Sequence, residues 1–225
     1  MEAHEKSNEA GFWNNPEIVC YFSGKPPDPM VVERLSRIPI PHTKNLLDVG
    51  CGAGRNAIAA IALGFRVHMC DPNPAMIRVT ASRLAPLIGR TTINRRLIYA
   101  IMTSLPYHDC MFDAIIACGV LHQASSLDEY RRAIRELSRV AHDGCVITLN
   151  VFTNKVMDPR FRKITGEPYS VITFEGLPMT LLSRDVLYML MEEQGLKLEH
   201  EICEEVKMEN TGLRSILRVN FIKEI

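Results

Sequence analysis

The chain has 225 residues, of which 47% are hydrophobic and 23% are charged. This balance is typical of a soluble globular protein, and the length fits a single domain with modest insertions. Lysine plus arginine equals aspartate plus glutamate at 26 each, so no basic surplus attracts a nucleic-acid backbone or an anionic membrane. The charge therefore favours a small-molecule substrate, and we expect neither a nucleic-acid nor a membrane partner.

The N-terminal region does not have the apolar core of an export signal. Glu2, Glu5, Lys6 and Glu9 lie in it, and the longest apolar run, from Ala57 to Phe65, is too short to span a bilayer. The seven cysteines include no Cys-x-x-Cys pair, which argues against a disulfide framework, a structural zinc site and an iron–sulfur cluster. We therefore expect a cytoplasmic protein with free thiols and no metal.

Apolar strand-like runs alternate with amphipathic helical runs, the pattern of a mainly parallel sheet with helices on both faces. The predicted strands are Asn45–Val49, Arg66–Cys70, Leu97–Met102, Phe112–Cys118 and Cys145–Phe152. Helices are predicted over Asn56–Leu63 and over Asn73–Leu84, where Asn73 is the N-cap. Two more helices begin at Ser126, in a capping box whose Glu129 bonds back to the Ser126 N–H, and at Ser183.

The end of the chain has the pattern of an antiparallel hairpin. Leu196–Met208 and Leu213–Lys223 read as strands, and the turn signal Asn210-Thr211-Gly212 joins them. The predicted fold is therefore an α/β, doubly wound, seven-stranded and mostly parallel sheet that ends in a C-terminal antiparallel hairpin.

A glycine-rich segment connects the first strand to the first helix, the place where open α/β sheets bind nucleotides. Gly50, Gly52 and Gly54 form the pattern G-x-G-x-G. The dinucleotide fingerprint would need a further glycine at Arg55, so the spacing disfavours NAD and FAD. Glycine suits a position where a ligand lies against bare backbone.

Two aspartates lie beside this segment. Asp48 can reach the ammonium group of a ligand, and Asp71 ends the second strand, where a carboxylate can accept hydrogen bonds from both ribose hydroxyls. Taken singly, the glycines could form an ordinary tight turn and Asp71 could be a loop residue. Their combination with the terminal hairpin favours a nucleoside-binding site.

In these residues the chain resembles the class I S-adenosylmethionine-dependent methyltransferase family, small-molecule type. The matching motifs are Leu47-Asp-Val-Gly-Cys-Gly-Ala-Gly54, Cys70-Asp71, Leu105-Pro-Tyr107, Phe112-Asp113 and Gly119-Val-Leu-His122. The resemblance covers roughly residues 45–225 and implies S-adenosylmethionine as the cofactor. It places the methionine end over Gly50–Gly54, the ribose on Asp71, and the adenine between Pro72 and Met76.

The resemblance implies a larger set of cofactor-binding residues. They are Asp48, Gly50, Cys51, Gly52, Gly54, Asn56, Asp71, Pro72, Met76, Met102, Thr103, Cys118 and Gly119. One position departs from the family pattern, because relatives commonly have an aspartate where this chain has Ile101. Backbone groups of Met102 and Thr103 would then recognise the adenine edge.

Methyl transfer from a sulfonium is an in-line displacement, so the protein mainly positions the reactants and excludes water. His122 follows the fourth strand and is the candidate catalytic residue, either as a general base or as a group that shapes the acceptor pocket. Gln123 stands where many relatives have a second histidine, which argues against a catalytic metal.

Two segments could contact the substrate. Residues 1–44 are interpreted as a helical lid that precedes the main domain of residues 45–225, and Trp13, Tyr21 and Phe22 could cover the cofactor. The alternative for this segment is a helix packed on the sheet edge. An insertion at about 154–180, with Tyr169, should determine acceptor specificity.

The sequence thus predicts methyl transfer from S-adenosylmethionine to an oxygen, nitrogen or sulfur atom of a small molecule, by a monomer or homodimer. One alternative is a protein or nucleic-acid methyltransferase, which the missing Asn-Pro-Pro motif and the absence of a basic surplus disfavour. The other is a non-catalytic subunit that binds S-adenosylmethionine, an idea suggested by Ile101 and Gln123.

Overall fold

The structure is a computed structural model that describes residues 11–209 and 212–224. The N-terminal residues 1–10, including Glu2, Glu5, Lys6 and Glu9, and the turn residues Asn210 and Thr211 lie outside the described part. The strands are β1 Asn45–Val49, β2 Arg66–Asp71, β3 Leu97–Tyr99, β4 Phe112–Cys118, β5 Ala141–Met157, β6 Arg162–Lys163, β7 Ser170–Ile172, β8 Pro178–Thr180, β9 Leu196–Glu209 and β10 Gly212–Lys223.

Seven of these strands form one sheet in the order β3-β2-β1-β4-β5-β10-β9. Strands β1 to β5 are parallel to one another, and β10 is antiparallel to both β5 and β9. The predicted mostly parallel sheet with a C-terminal hairpin is confirmed. β1 lies between β2 and β4, so the strand order reverses at β1. The carboxyl ends of these strands form a crevice at this switch point.

The helices cover both faces of the sheet. They are α1 Pro16–Gly24, α2 Pro29–Ser36, α3 Arg55–Ala62, α4 Pro74–Ile88, α5 Arg90–Arg96, α6 Leu127–Val140 and α7 Arg184–Glu192. The predicted caps at Asn73 and Ser183 are present, since Asn73 accepts the N–H groups of Ala75 and Met76, and Ser183 accepts that of Val186. None of the described helices is long and apolar enough to cross a membrane.

Adjacent residues of β1 pack into different halves of the core, because successive side chains of a strand point to opposite faces. Leu46 packs with Ala57, Leu84 and Ile116, whereas Leu47 belongs to the cluster on the other face. Both leucines are fully buried. Helices on both faces of a parallel sheet require this double burial, and it holds the crevice at the ends of the strands in place.

Three local predictions were wrong in detail. The third strand ends at Tyr99, because residues 101 to 104 close a tight turn through the Ile101–Ser104 bridge. Ser126 accepts the Glu129 N–H at 3.2 Å as predicted, but the Glu129 carboxylate accepts the N–H of Ser125 at 2.8 Å rather than that of Ser126. The fifth strand is longer than predicted and runs from Ala141 to Met157.

The insertion after β5 contains a small antiparallel sheet that the sequence did not predict. Strands β6, β7 and β8 pair in that order. Val171, Met179 and Leu181 form its apolar cluster, and Phe152 of β5 and Phe161 pack against it. The insertion therefore packs on the end of the main sheet where β5 extends past the other parallel strands.

Candidate cofactor and acceptor site

The loop between β1 and α3 exposes bare backbone to the crevice. Gly50 and Gly52 have φ angles of 61° and 53°, in the left-handed region that favours glycine. A Cβ atom on Gly50 would lie 2.5 Å from the Cγ2 atom of Val120, so no side chain fits there. A Cβ atom on Gly52 would meet nothing within 4 Å, so the space beside this backbone is open to a ligand.

Hydrogen bonds hold the loop in one conformation. The Thr80 hydroxyl of α4 donates to the Gly52 carbonyl at 2.5 Å, and the Gly54 N–H donates to the Cys51 carbonyl at 2.9 Å. The Cys51 N–H donates to the Cys70 carbonyl at 3.0 Å, which continues the β1–β2 pairing into the loop. The glycines, together with buried Cys51, therefore present a pre-organised surface.

Asp71 connects the glycine loop to the start of α4. One carboxylate oxygen accepts the Gly52 N–H and the other accepts the Asn73 N–H, each at 2.8 Å. Burial raises the pKa of Asp71, and these two hydrogen bonds oppose the rise. Each carboxylate oxygen keeps further acceptor capacity, so the group can also receive the two hydroxyls of a ribose.

Asp48 has a buried carboxylate oxygen, Oδ2, with no hydrogen-bond partner in the described part of the chain. Burial raises the pKa of Asp48 to about 7; the charge of Asp71 adds to the rise, while Arg55 and the Ala57 N–H oppose it. A buried acceptor without a donor is unfavourable unless a ligand supplies one. The ammonium group of S-adenosylmethionine is such a donor, so these residues fit that cofactor.

The residues expected around the adenine are spread over two loops. Met76 is buried at the start of α4, Pro72 is exposed, and Met102 is half-buried after β3. Thr103 lines a groove of about 450 Å³ against α6. Ile101, the position that departs from the family pattern, is 49% exposed.

The end of β4 supplies the next part of the crevice. Cys118 is half-buried, and the Gly119 N–H donates to the Asn150 carbonyl of β5 at 2.7 Å. Asn56, at the start of α3, is buried, and its side-chain oxygen accepts the Asp28 N–H at 2.9 Å. These residues join β4, β5 and α3 at the rim of the site.

His122 lies in a short 3₁₀ turn after β4 and is only 1% exposed. Its Nδ1 accepts the Phe152 N–H at 3.1 Å, and its Nε2 lies 3.3 Å from the Gln123 side-chain nitrogen. Its ring stacks on that of Phe152, with centroids 4.0 Å apart. Burial, with a smaller contribution from the charge of Arg214, lowers the pKa of His122 to about 3. The imidazole is therefore neutral near pH 7, and both of its nitrogens have neighbours within the protein.

The N-terminal aromatic residues form one cluster. The rings of Trp13 and Phe22 are 5.5 Å apart, those of Tyr21 and Phe22 are 5.3 Å apart, and the Lys25 ammonium lies 4.4 Å from the centre of the Tyr21 ring. Tyr169, the candidate in the insertion, packs against the main core cluster. The aromatic cluster and Tyr169 thus lie on different elements.

Sequence analysis missed Asp28, which fixes the N-terminal segment to the domain. Its N–H donates to the Asn56 side-chain oxygen. Its carboxylate accepts the Met30 N–H at 3.1 Å and the Asn150 side-chain N–H at 3.2 Å. The Asp28-Pro29 pair has the same cap pattern as Asn73-Pro74, and this signal could have identified it. Arg214 of β10, close to Phe152, was also missed.

Comparison with known proteins agrees with this geometry. Residues 46–144, which contain the glycine loop, Asp71 and His122, match the model of a methyltransferase domain family. This part of the chain is thus a methyltransferase domain. The predicted methyltransferase domain and its cofactor, S-adenosylmethionine, are confirmed, and the small-molecule type stays a prediction.

Two curated relatives and one solved structure are similar to this chain. A mouse protein named probable tRNA methyltransferase 9B is 29% identical over 118 residues, 52% of this chain and 23% of the mouse protein. An O-methyltransferase of the fungus Pyrenophora dematioidea is 25% identical over 193 residues, 84% of this chain and 67% of the fungal protein. A methyltransferase from Methanosarcina mazei shares the fold, with a TM-score of 0.67, 21% identity, and coverage of 84% of this chain and 98% of the other.

Proposed function

We propose that this protein transfers the methyl group of S-adenosylmethionine to an oxygen atom of a small-molecule acceptor. The observation that carries the proposal is the joint geometry of Asp48, Gly52 and Asp71. An unpaired buried carboxylate oxygen, open backbone and a doubly anchored carboxylate suit the ammonium, methionine and ribose parts of that cofactor.

The choice of an oxygen acceptor is supported by the extent of similarity. The fungal O-methyltransferase is similar over 84% of the chain, whereas the mouse tRNA methyltransferase is similar over 52%. The chain spans about a quarter of the length of the mouse relative. The neutral net charge also favours a small acceptor over a nucleic acid.

The protein binds and orients the reactants and excludes water from them. When bound, S-adenosylmethionine supplies an electrophilic methyl group on a positively charged sulfur, which leaves as a neutral thioether. With the cofactor held by Asp48, Gly52 and Asp71, an acceptor oxygen would bond to the methyl carbon as the sulfur departs. No side chain needs to protonate this leaving group, so the protein contributes mainly proximity and exclusion of water.

We assign His122 to the wall of the acceptor pocket rather than to proton abstraction. A general base needs a free nitrogen lone pair, but Nδ1 of His122 accepts a backbone N–H and the low pKa makes the ring a weak base. The stacked pair of His122 and Phe152 presents a rigid aromatic surface beyond β4. An acceptor oxygen that is already ionised needs no base.

A second candidate is methylation of tRNA. It is supported by the name of the mouse relative and by Arg131, Arg132 and Arg135 of α6, which are exposed and have no ion pair with any residue described in the structure. Such cations could contact phosphates, although solvated arginines on a helix face are common. The same assay can include both classes of acceptor.

The proposal is tested by incubating the protein with methyl-labelled S-adenosylmethionine and either a metabolite extract or total tRNA. We expect label in a small organic product that releases methanol on alkaline hydrolysis if it is an ester, or that resists alkali if it is an ether. Label in tRNA alone would replace the proposal with the second candidate. Cofactor binding without transfer to any acceptor would support the non-catalytic alternative.

A further inference from the structure

Arg214 of β10 is the largest fully buried side chain among the described residues, with 1% exposure. Its Nη1 donates to the Leu213 carbonyl at 3.2 Å, but Nε and Nη2 have no hydrogen-bond partner in the described ranges. A buried guanidinium with unused donors is unfavourable unless an anion pairs with it. Such a group is therefore a candidate ligand-binding residue.

The two unused nitrogens form one edge of the guanidinium, the edge that binds a carboxylate with two parallel hydrogen bonds. The described residues include three examples of this geometry. In each, the arginine Nε and Nη2 bind both oxygens of one carboxylate: Arg34 with Glu199, Arg139 with Glu136, and Arg160 with Asp158. Arg214 has the same edge, and no carboxylate of the described residues binds it.

The carboxylates that act electrostatically on Arg214 form no ion pair with it within the described ranges. Glu175 and Asp158 act on it electrostatically, but neither lies within 4.0 Å of it. Asp158 is already bound to Arg160 and to the Leu213 N–H. Glu175 has a buried carboxylate oxygen of its own without a partner among the described residues. The guanidinium thus has carboxylate charges nearby, but no carboxylate of the described residues binds it.

Arg214 lies beside the stacked rings of His122 and Phe152. Its guanidinium carbon lies 4.4 Å from the centre of the Phe161 ring and 5.5 Å from that of Phe152, whose other neighbour is His122. Arg214 pairs with Met157 at the end of β5, beyond the carboxyl ends of the other parallel strands. Two aromatic rings and a cation at this position suit a planar organic anion.

We propose that Arg214 binds a carboxylate of the methyl acceptor. The inference rests on the proposed function and specifies its substrate class: an acceptor with a planar carboxylate beside an apolar or aromatic group. Such an acceptor also fits His122, because an ionised carboxylate oxygen can be methylated without a general base. Since Arg214 lies beneath the insertion that carries β6 to β8, acceptor entry requires that insertion to move.

The test uses the full chain saturated with S-adenosylhomocysteine, with benzoate as the carboxylate probe. Benzamide, which has the same shape without the charge, and inorganic phosphate are the comparison probes. Benzoate should raise the melting temperature in proportion to the logarithm of its concentration, while benzamide and phosphate should have little effect. Arg214→Met should abolish the benzoate shift.

Arg34→Met is the matched control, because Glu199 already occupies the corresponding edge of Arg34. It should keep the benzoate shift of the wild type. If Arg214→Met does not fold, Arg214→Lys is measured instead; it keeps the charge, lacks the two-nitrogen edge, and should lose most of the shift.

Three results would overturn the inference. They are no benzoate shift in the wild type, an equal shift in the Arg214 variant, and a larger shift with phosphate than with benzoate. Calorimetric binding of S-adenosylhomocysteine to the same proteins separates the two proposals. If the wild-type protein binds S-adenosylhomocysteine but benzoate raises the melting temperature equally without Arg214, the substrate class is wrong and the proposed function stands. If the wild-type protein does not bind S-adenosylhomocysteine, the proposed function itself fails.

Discussion

The Asp71 carboxylate accepts the Gly52 N–H at 2.8 Å, so the residue expected to bind the ribose also holds the glycine loop in place. One side chain thus sets the spacing between the two halves of the cofactor site. Its other oxygen fixes the start of α4 through the Asn73 N–H. Replacing Asp71 should therefore affect cofactor binding both directly and through the loop.

Asp71→Ala should weaken binding of S-adenosylhomocysteine roughly ten-fold or more, since a charged hydrogen-bonded pair contributes on the order of 1–3 kcal/mol. Calorimetric titration measures the change. Asp113→Ala is the control: Asp113 also joins two strands, through the Asn45 N–H at 2.9 Å and the Lys44 ammonium at 3.0 Å, but at the start of β4. A dissociation constant unchanged in Asp71→Ala would place the ribose elsewhere.

Asp48 should make cofactor affinity depend on pH. Its pKa is raised to about 7, and an ammonium ligand binds its ionised form. Affinity should therefore rise with pH up to about 7 and then level off, with roughly ten-fold weaker binding at pH 6 than at pH 8. Calorimetry of S-adenosylhomocysteine at both pH values tests this. Asp48→Asn should bind weakly and show little dependence on pH; an equally steep dependence in that variant would exclude Asp48 as its source.

The same pKa predicts the pH dependence of stability without cofactor. The folded pKa lies above the value of 3.8 for an exposed carboxyl, so the folded state holds more protons between about pH 4 and 7. Asp48 therefore makes the free energy of unfolding fall as pH rises through that window. Urea unfolding at pH 5 and pH 7.5 should show a smaller fall in Asp48→Asn than in the wild type. An identical fall would mean that Asp48 titrates normally.

His122→Ala should reduce stability more than it changes the pH profile of turnover. It leaves the Phe152 N–H without its acceptor and removes the stacked ring, a loss on the order of 1–3 kcal/mol by urea unfolding. Once an acceptor is identified, the KM of the variant for that acceptor should rise. Its turnover should show no titration near neutral pH that can be assigned to His122. A hundred-fold loss of turnover with unchanged KM would restore the general-base assignment.

Asp28→Ala should loosen the N-terminal segment. It removes the α2 cap and the bond to Asn150, and loss of a cap alone lowers stability by about 1 kcal/mol. Hydrogen exchange over residues 16–36 measures the effect. Asn15→Ala removes the exposed cap of α1, where the Asn15 side chain accepts the Glu17 N–H, and should leave exchange in α2 unchanged. Equal effects of the two variants would mean that the bond to Asn150 contributes nothing.

Local sequence signals predicted much of the fold and of the cofactor site. The glycine spacing, Asp71 at a strand end, and the caps at Asn73 and Ser183 each depend on residues close together in the chain. The bond between Asp28 and Asn150 joins residues 122 positions apart, so no local pattern contains it. The environment of His122 likewise depends on Phe152 and Arg214, which come from other strands.

Arg214 shows most clearly what sequence could not predict. In an amphipathic C-terminal strand an arginine is expected at the surface. Its guanidinium lies against the ring of Phe161, which belongs to the insertion, a contact that no local pattern of the strand reveals. The insertion itself gave no periodic signal, because its strands β6 to β8 are only two or three residues long.

The most direct test of the account is calorimetric titration of the wild-type protein with S-adenosylhomocysteine and, separately, with NAD. Asp48, the G-x-G-x-G loop and Asp71 together predict saturable binding of the sulfur nucleoside at one site and no binding of NAD. Saturable binding of NAD without binding of S-adenosylhomocysteine would contradict it.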